Sequence, residues 1–216
     1  MRVVEIFTSI EGEGCRAGKL CTFVRLAGCN LDCSYCDTDY AQDFGCGRVM
    51  SAQEIIEQVC ATSLSPYVTL TGGEPLFRRP DEIVELLSGL VARGYEVNIE
   101  TNGSVDVSPY RQPGVFFTID YKCPSSGCED RMLAENFTNS QPEDVIKFVV
   151  GSTEDLDAAL AVTDRGVNAS VFVSPVFGKI ELTEIVEYMK NHKSCSDWRM
   201  QVQLHKIIWD PQMKGV

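Results

Sequence analysis

Thr22-Phe23-Val24-Arg25-Leu26 reads as a strand and passes through Ala27-Gly28 into Cys29-Asn30-Leu31-Asp32-Cys33-Ser34-Tyr35-Cys36. This loop carries three thiols, spaced three residues and then two apart, with no fourth nearby. An iron–sulfur cube normally takes four cysteine ligands, so three would leave one iron open to a small molecule. A structural zinc site instead closes a tetrahedral shell. Two plainer readings stand beside the open cluster: zinc completed by a distant His205 or Cys46, and reduced core thiols.

Outward from that loop the chain alternates strand and helix. Ser51-Ala52-Gln53-Glu54 is a capping box ahead of Ile55, Ile56 and Val59. Residues 67–70 read as a strand, and Pro80 opens a helix whose buried stripe is Ile83, Leu86, Leu87 and Leu90, with Gly94 closing it. Residues 97–99, 115–119, 145–150 and 170–173 are strand-like, helices follow Ser152 and Leu182, and a last strand falls near 200–203. Apolar strands separated by helices predict an α/β fold of mostly parallel strands. Six or seven strands fall short of the eight of a closed barrel, which predicts an incomplete TIM-type barrel, open on one side, built by residues 1–216 as a single domain.

Reactive groups in such folds sit past the C-terminal ends of the strands. The chain places its distinctive residues there: the cysteine loop, then Thr71-Gly72-Gly73-Glu74-Pro75, Glu100-Thr101-Asn102-Gly103, Asp120-Tyr121-Lys122, Ser174-Pro175, and finally His205.

Composition bounds the function. The chain of 216 residues is 44% hydrophobic, enough for a real core. Its ten cysteines accompany no apolar leader and no stretch long enough to span a membrane, which predicts a reducing, cytoplasmic setting and no membrane partner. A formal net charge of −12 disfavours a nucleic-acid footprint and points to small-molecule substrates.

The cysteine triplet together with Gly72-Gly73-Glu74-Pro75 resembles the radical S-adenosylmethionine (SAM) enzymes. That resemblance implies a [4Fe–4S] cluster on Cys29, Cys33 and Cys36, with the methionine end of SAM chelating the open iron and yielding a 5′-deoxyadenosyl radical. It implies backbone contacts to the cofactor from Gly72 and Gly73, with Glu74, Cys36 and Asp37 beside them. Tyr35 matches the position packing near the adenine, Asn102 one bonding the sugar, and Lys122 beside Asp120 one neutralising the cofactor carboxylate. The plain alternative for the last two is a strand-end ion pair.

Both ends of the chain resemble the 7-carboxy-7-deazaguanine synthase family: Thr8-Ser9-Ile10-Glu11-Gly12-Glu13-Gly14, Phe23 through Cys29, Cys36-Asp37-Thr38, Lys122-Cys123-Pro124-Ser125-Ser126-Gly127 and Gln203-Leu204-His205-Lys206-Ile207-Ile208-Trp209. The resemblance implies a substrate, 6-carboxy-5,6,7,8-tetrahydropterin, converted to 7-carboxy-7-deazaguanine with loss of ammonia. It also implies Mg²⁺ at Thr38, an electron donor such as flavodoxin or ferredoxin, a homodimer, and a place in queuosine or related deazapurine synthesis. Implied substrate contacts are Ile10, Glu11, Gly12, Glu13, Arg25, Thr71, His205 and the terminal Val216. Arg25 offers a fork suited to a carboxylate, or else a buried charge paired with Glu13. Many relatives have Gln where this chain has Glu11, which removes a donor if that contact uses the side chain. Cys123 and Cys128 supply too few ligands for an auxiliary metal site. Two other functions remain open at this point: a glycyl-radical activase acting on a protein partner, and a metal-stabilised binding module.

Overall fold

The computed structural model describes residues 1–211 and 213–216. The chain begins with a strand that its sequence does not announce, Arg2–Ile10 (β1), which turns back antiparallel onto Leu20–Leu26 (β2). Arg48–Val49 (β3) adds two residues to the outer edge of β1. From there the strand–helix rhythm holds. The helix Ala52–Thr62 (α1) precedes Tyr67–Gly72 (β4), and Pro80–Val91 (α2) precedes Glu96–Thr101 (β5). Val115–Tyr121 (β6) follows. After the short helix Ala134–Thr138 (α3) come Val145–Val150 (β7), Thr153–Thr163 (α4) and Ser170–Pro175 (β8). Leu182–Asn191 (α5), Arg199–Met200 (β9) and Leu204–Ile208 (α6) complete the order.

Among the described residues nine strands form one unclosed sheet, β3-β1-β2-β4-β5-β6-β7-β8-β9, in which every pairing from β2 to β9 is parallel. The expected incomplete barrel of mostly parallel strands is therefore present, with an antiparallel edge added by β1 and β3. The last strand is shorter than the sequence suggests. It ends at Met200, so His205 stands on α6 rather than at a strand end. Among the described residues no helix is long and apolar enough to cross a membrane.

Helices α1, α2, α4 and α5 begin where the sequence places them, whereas α3 and α6 were not expected. Ser51 and Glu54 make the reciprocal capping box of α1, Pro80 opens α2, and the Ser152 hydroxyl caps α4 by accepting from Asp155 N. Each apolar stripe packs on the outer face of the sheet: Ile55, Ile56 and Val59 of α1 and Ile83, Leu86, Leu87 and Leu90 of α2 join Val68, Leu70, Val97, Ile99, Phe117, Ile119, Ile146 and Phe148 in one core.

Strand alternation puts a different population on the inner face. Between the core residues lie Thr69 and Thr71, Asn98 and Glu100, Thr118 and Asp120, and Lys147, several of them buried. These strands thus alternate apolar-out with polar-in, although parallel strands covered on both faces more often run continuously apolar. The polar positions line the hollow of the curved sheet.

The loop after β1 closes that hollow below. Arg16 reaches under the N-terminal ends of the strands, its guanidinium 5.1 Å from the Tyr67 ring centre and 4.8 Å from that of Phe116. It donates to Thr69 Oγ1 at 2.9 Å and to Glu11 Oε2 at 3.3 Å. Gly14 N donates to Gln201 Oε1 at 2.8 Å, and Leu204 N to Gly12 O at 3.2 Å. The open edges of the sheet are bridged by loop contacts instead of a strand ladder.

Candidate active site

The hollow holds a cavity of about 760 Å³ bordered by Cys29, Cys33 and Cys36, by the loop after β1 and by the C-terminal segment. All ten cysteines are free thiols.

The cysteine loop is fixed by backbone docking. Gly73 N donates to Leu26 O at 2.9 Å and Glu74 N to Gly28 O at 2.8 Å. A Cβ on Gly73 would stand 2.2 Å from Gly28 O, and one on Gly72 would stand 2.1 Å from Leu26 O. Gly72 also holds φ +132°, a conformation side chains rarely adopt. The glycine pair therefore lets β4 end directly against the cysteine loop. Glu74 does not border the cavity. Its fully buried carboxylate accepts from Leu76 N at 2.9 Å, Thr101 Oγ1 at 2.8 Å and Asn102 N at 2.6 Å, sewing the ends of β4 and β5 together. Burial nonetheless raises its pKa against those hydrogen bonds.

Cys29, Cys33 and Cys36 all border the cavity. Leu31 N and Asn102 Nδ2 point at Cys29 Sγ from 3.5 and 3.7 Å, the kind of outer contact that tunes thiolate ligands. Among the described residues no three His, Cys, Asp or Glu side chains, the cysteine triplet included, are gathered tightly enough for a single metal ion. Cys123 and Cys128 are both buried. Asn102 Nδ2 also donates to Asn30 Oδ1 at 3.0 Å, and its Oδ1 accepts from Ser104 Oγ at 2.6 Å. Tyr35 lies along the cavity and donates its hydroxyl to Val149 O at 3.3 Å.

Charge alternates around the walls. Lys122 Nζ donates to Asp120 Oδ2 at 2.8 Å, and Lys147 Nζ donates to Asp120 Oδ1 at 3.1 Å and to Glu13 Oε2 at 3.0 Å. Glu13 also accepts from Ser174 Oγ at 3.1 Å and Gln203 Nε2 at 3.4 Å. Arg25 pairs with Glu5 at 2.7 Å and not with Glu13, because the antiparallel register of β1 and β2 sets Glu5 opposite it. Tyr40 donates to the same Glu5 oxygen at 2.9 Å. Thr71 Oγ1 donates to Glu100 Oε2 at 2.7 Å. The Glu100 carboxyl is pushed up to about 7, first by burial and then by the neighbouring Glu11 charge.

Glu11 itself is turned down toward Arg16 and Thr69, and its backbone N and O pair with Lys19 O and Gly18 N. Gly12 lies under the His205 ring: a Cβ there would meet Nδ1 at 2.6 Å. Burial lowers the His205 pKa, which favours the neutral ring. Thr38 Oγ1 donates to Asp37 Oδ1 at 3.1 Å, and Asp37 takes Lys206 Nζ at 3.0 Å, tying the cysteine loop to α6. Ile10 and the terminal Val216 both border the cavity. Lys147 borders the cavity too, although motif reading does not single it out. A lone charge inside an apolar strand, as in Val145-Ile146-Lys147-Phe148, is the signal that marks Lys147.

An unclosed parallel barrel carrying three thiols and a Gly-Gly-Glu-Pro turn at one rim defines a radical SAM enzyme, and the Radical SAM superfamily model matches residues 24–118. The 7-carboxy-7-deazaguanine synthase of Clostridium acetobutylicum is 44% identical over 222 aligned positions, covering 100% of this chain and 99% of that protein. That of Chlorobaculum tepidum is 40% identical, covering 100% and 97%. The chain belongs to the 7-carboxy-7-deazaguanine synthase family. Its fold matches the crystal structure of QueE from Escherichia coli with a TM-score of 0.72 at 22% identity, over 94% of this chain and 93% of that one.

Proposed function

We infer that this chain is a radical SAM lyase that converts 6-carboxy-5,6,7,8-tetrahydropterin to 7-carboxy-7-deazaguanine with loss of ammonia. The observation that carries this reading is end-to-end similarity to synthases of that name. The cavity supports it, because the thiol rim opens onto walls rich in carboxylates and cations. An activase would need an opening for a protein loop, and the family membership sets that alternative aside.

Cys29, Cys33 and Cys36 would hold a [4Fe–4S] cluster, which with SAM supplies one-electron cleavage and a carbon radical for hydrogen abstraction. The chain's own task is placement, because reacting atoms must be held in contact with little freedom. The carbonyls of the Gly72–Gly73 turn suit the cofactor's ammonium, since the following amides already serve the cysteine loop. Lys122 suits its carboxylate, Asp120 and Asn102 its sugar, and Tyr35 its adenine. Asp37 supports that end through Lys206. Glu74 contributes by fixing the turn.

At the other end Arg25 retains fork donors for the pterin carboxylate, its Nε being held by Glu5. Glu13 and Thr71 face the aminopyrimidine, with Ile10 and Gly12 beside them and neutral His205 and Val216 closing over it. The Glu11 side chain is committed to Arg16, so the replacement of Gln by Glu leaves the cavity's donor pattern unchanged. Thr38 offers a hard oxygen for Mg²⁺ bridging to the substrate carboxylate. We read residues 1–216 as one domain acting in a reducing cytoplasm, as a homodimer supplied with electrons by a flavodoxin or ferredoxin.

Anaerobic incubation of the reconstituted chain with SAM, reductant and carboxytetrahydropterin tests the function. Deazaguanine absorbance and the corresponding mass should appear, and Cys33→Ala should abolish both while leaving the fold intact. Absence of product from a chain with a full cluster would overturn the reading.

A further inference from the structure

Lys147 sits in the middle of β7 between two core residues, Ile146 and Phe148, and is the register partner of Asp120 on β6. Its side chain is 8% exposed, with the ammonium 3.0 Å from Glu13 Oε2 and 3.1 Å from Asp120 Oδ1. Burial opposes the charge, yet Asp120, Glu13 and Glu100 together hold the ammonium well above its ordinary range. The two carboxylates arrive from distant parts of the chain, Glu13 on the loop after β1 and Asp120 at the end of β6.

Each carboxylate has other fixed partners. Asp120 Oδ2 takes Lys122 at 2.8 Å. Glu13 Oε1 takes Ser174 Oγ at 3.1 Å, Ser174 Oγ takes Gln201 Nε2 at 3.0 Å, and Gln201 Oε1 takes Gly14 N at 2.8 Å. Two hydrogen-bonded clusters, one on the pterin side and one on the SAM side, meet at one ammonium. Such a buried network is stiff only while every member is satisfied.

We propose that Lys147 is a positioning residue that ties the substrate-facing carboxylate Glu13 to the cofactor-facing carboxylate Asp120, fixing the separation of the two ligands and coupling their binding. This rests on the functional reading above for which ligand each carboxylate faces. Hydrogen abstraction depends on that separation, and a displacement of about 1 Å can cost on the order of a hundredfold in rate.

Lys147→Met, Lys147→Gln and Lys147→Arg in the full chain test it, with Lys147→Gln carrying the test should Lys147→Met not accumulate folded. Affinity for 6-carboxypterin is read on the cluster-free chain by quenching of pterin fluorescence. Affinity for SAM is read on the reconstituted chain from its effect on the reduced cluster's electron paramagnetic resonance. The neutral variants should bind both ligands about tenfold more weakly, lose on the order of a hundredfold in kcat, and release more 5′-deoxyadenosine per product formed. Arg should restore part of each. Glu13→Gln should weaken SAM binding several-fold with Lys147 present and not at all in the Lys147→Met background. Binding and kcat within twofold of the unsubstituted chain, or an equal effect of Glu13→Gln in both backgrounds, would overturn the proposal alone. Failure of the unsubstituted chain to bind the pterin or form product would overturn the functional reading, and the proposal with it.

Discussion

Glu100 is the acid of the inner wall whose state changes near neutrality. Its pKa rises from 4.5 to about 7 through burial and the Glu11 charge, while the folded chain keeps Thr71 donating to it at 2.7 Å. The unfolded chain gives up that proton at lower pH, so between about pH 4.5 and 7 the folded state binds more protons. Stability therefore falls as pH rises through that window. Glu100→Gln keeps an acceptor for Thr71 and removes the ionisation. Relative to the unsubstituted chain it should gain about 2 kcal/mol between about pH 5.5 and pH 8, read by urea unfolding at both values. A constant difference between the two chains would show that Glu100 titrates normally. Residues of this kind are hard to read from sequence, because a charged residue at the end of an apolar strand looks the same whether it faces solvent or a ligand. Cys29, Cys33 and Cys36 were legible because their spacing alone narrows the chemistry. Arg25 was legible as a charge inside a strand, but its partner depended on a register that the sequence does not state.

At the scale of elements, the parallel strands were legible because their outward residues form apolar runs beside amphipathic helices. β1 was not, since Glu5, Thr8 and Ser9 interrupt its apolar residues and leave no steady alternation to read. β3 and β9, two residues each, exist only through their partners. The Gly-Gly-Glu-Pro turn was legible as a motif, but its physical reason is the contact between two pieces of backbone. Gly73→Ala tests that reason. Its Cβ would fall 2.2 Å from Gly28 O, and neither backbone can move without breaking the bonds from Gly73 N and Glu74 N. Overpacking of this kind costs about 2 kcal/mol, or roughly 5 °C in Tm for a chain of this size. Iron retained after reconstitution should fall below about half of that in the unsubstituted chain, since the displaced segment carries Cys29. Full iron content with an unchanged Tm would mean the turn tolerates a side chain and the glycines serve only the cofactor.

Across the whole molecule, the sheet never closes, and the gap is spanned by the loop after β1 and by the C-terminal segment. The segment is held by Leu204 N on Gly12 O at 3.2 Å, by Lys206 on Asp37 at 3.0 Å, and by Lys214 Nζ lying 4.0 Å over the Tyr40 ring. Its final residues, Lys214, Gly215 and Val216, border the cavity but join no part of the core. Contacts of that sort shape a ligand site while adding little to folding, because exposed groups outside the core usually change stability by about 0.5 kcal/mol or less. Deleting Lys214–Val216 should therefore leave Tm and iron content unchanged. The same deletion removes the Lys214 charge and the Val216 side chain from the cavity wall, so KM for the carboxytetrahydropterin should rise about tenfold, equivalent to roughly 1.4 kcal/mol of binding. SAM affinity should hold, because Lys214 lies over Tyr40 and not over Lys122, Asp120 or the Gly72–Gly73 turn proposed for the cofactor. Unchanged KM in the shortened chain would show that the tail covers the cavity without touching the substrate. A parallel loss of SAM affinity would show instead that the tail braces the whole rim through Asp37.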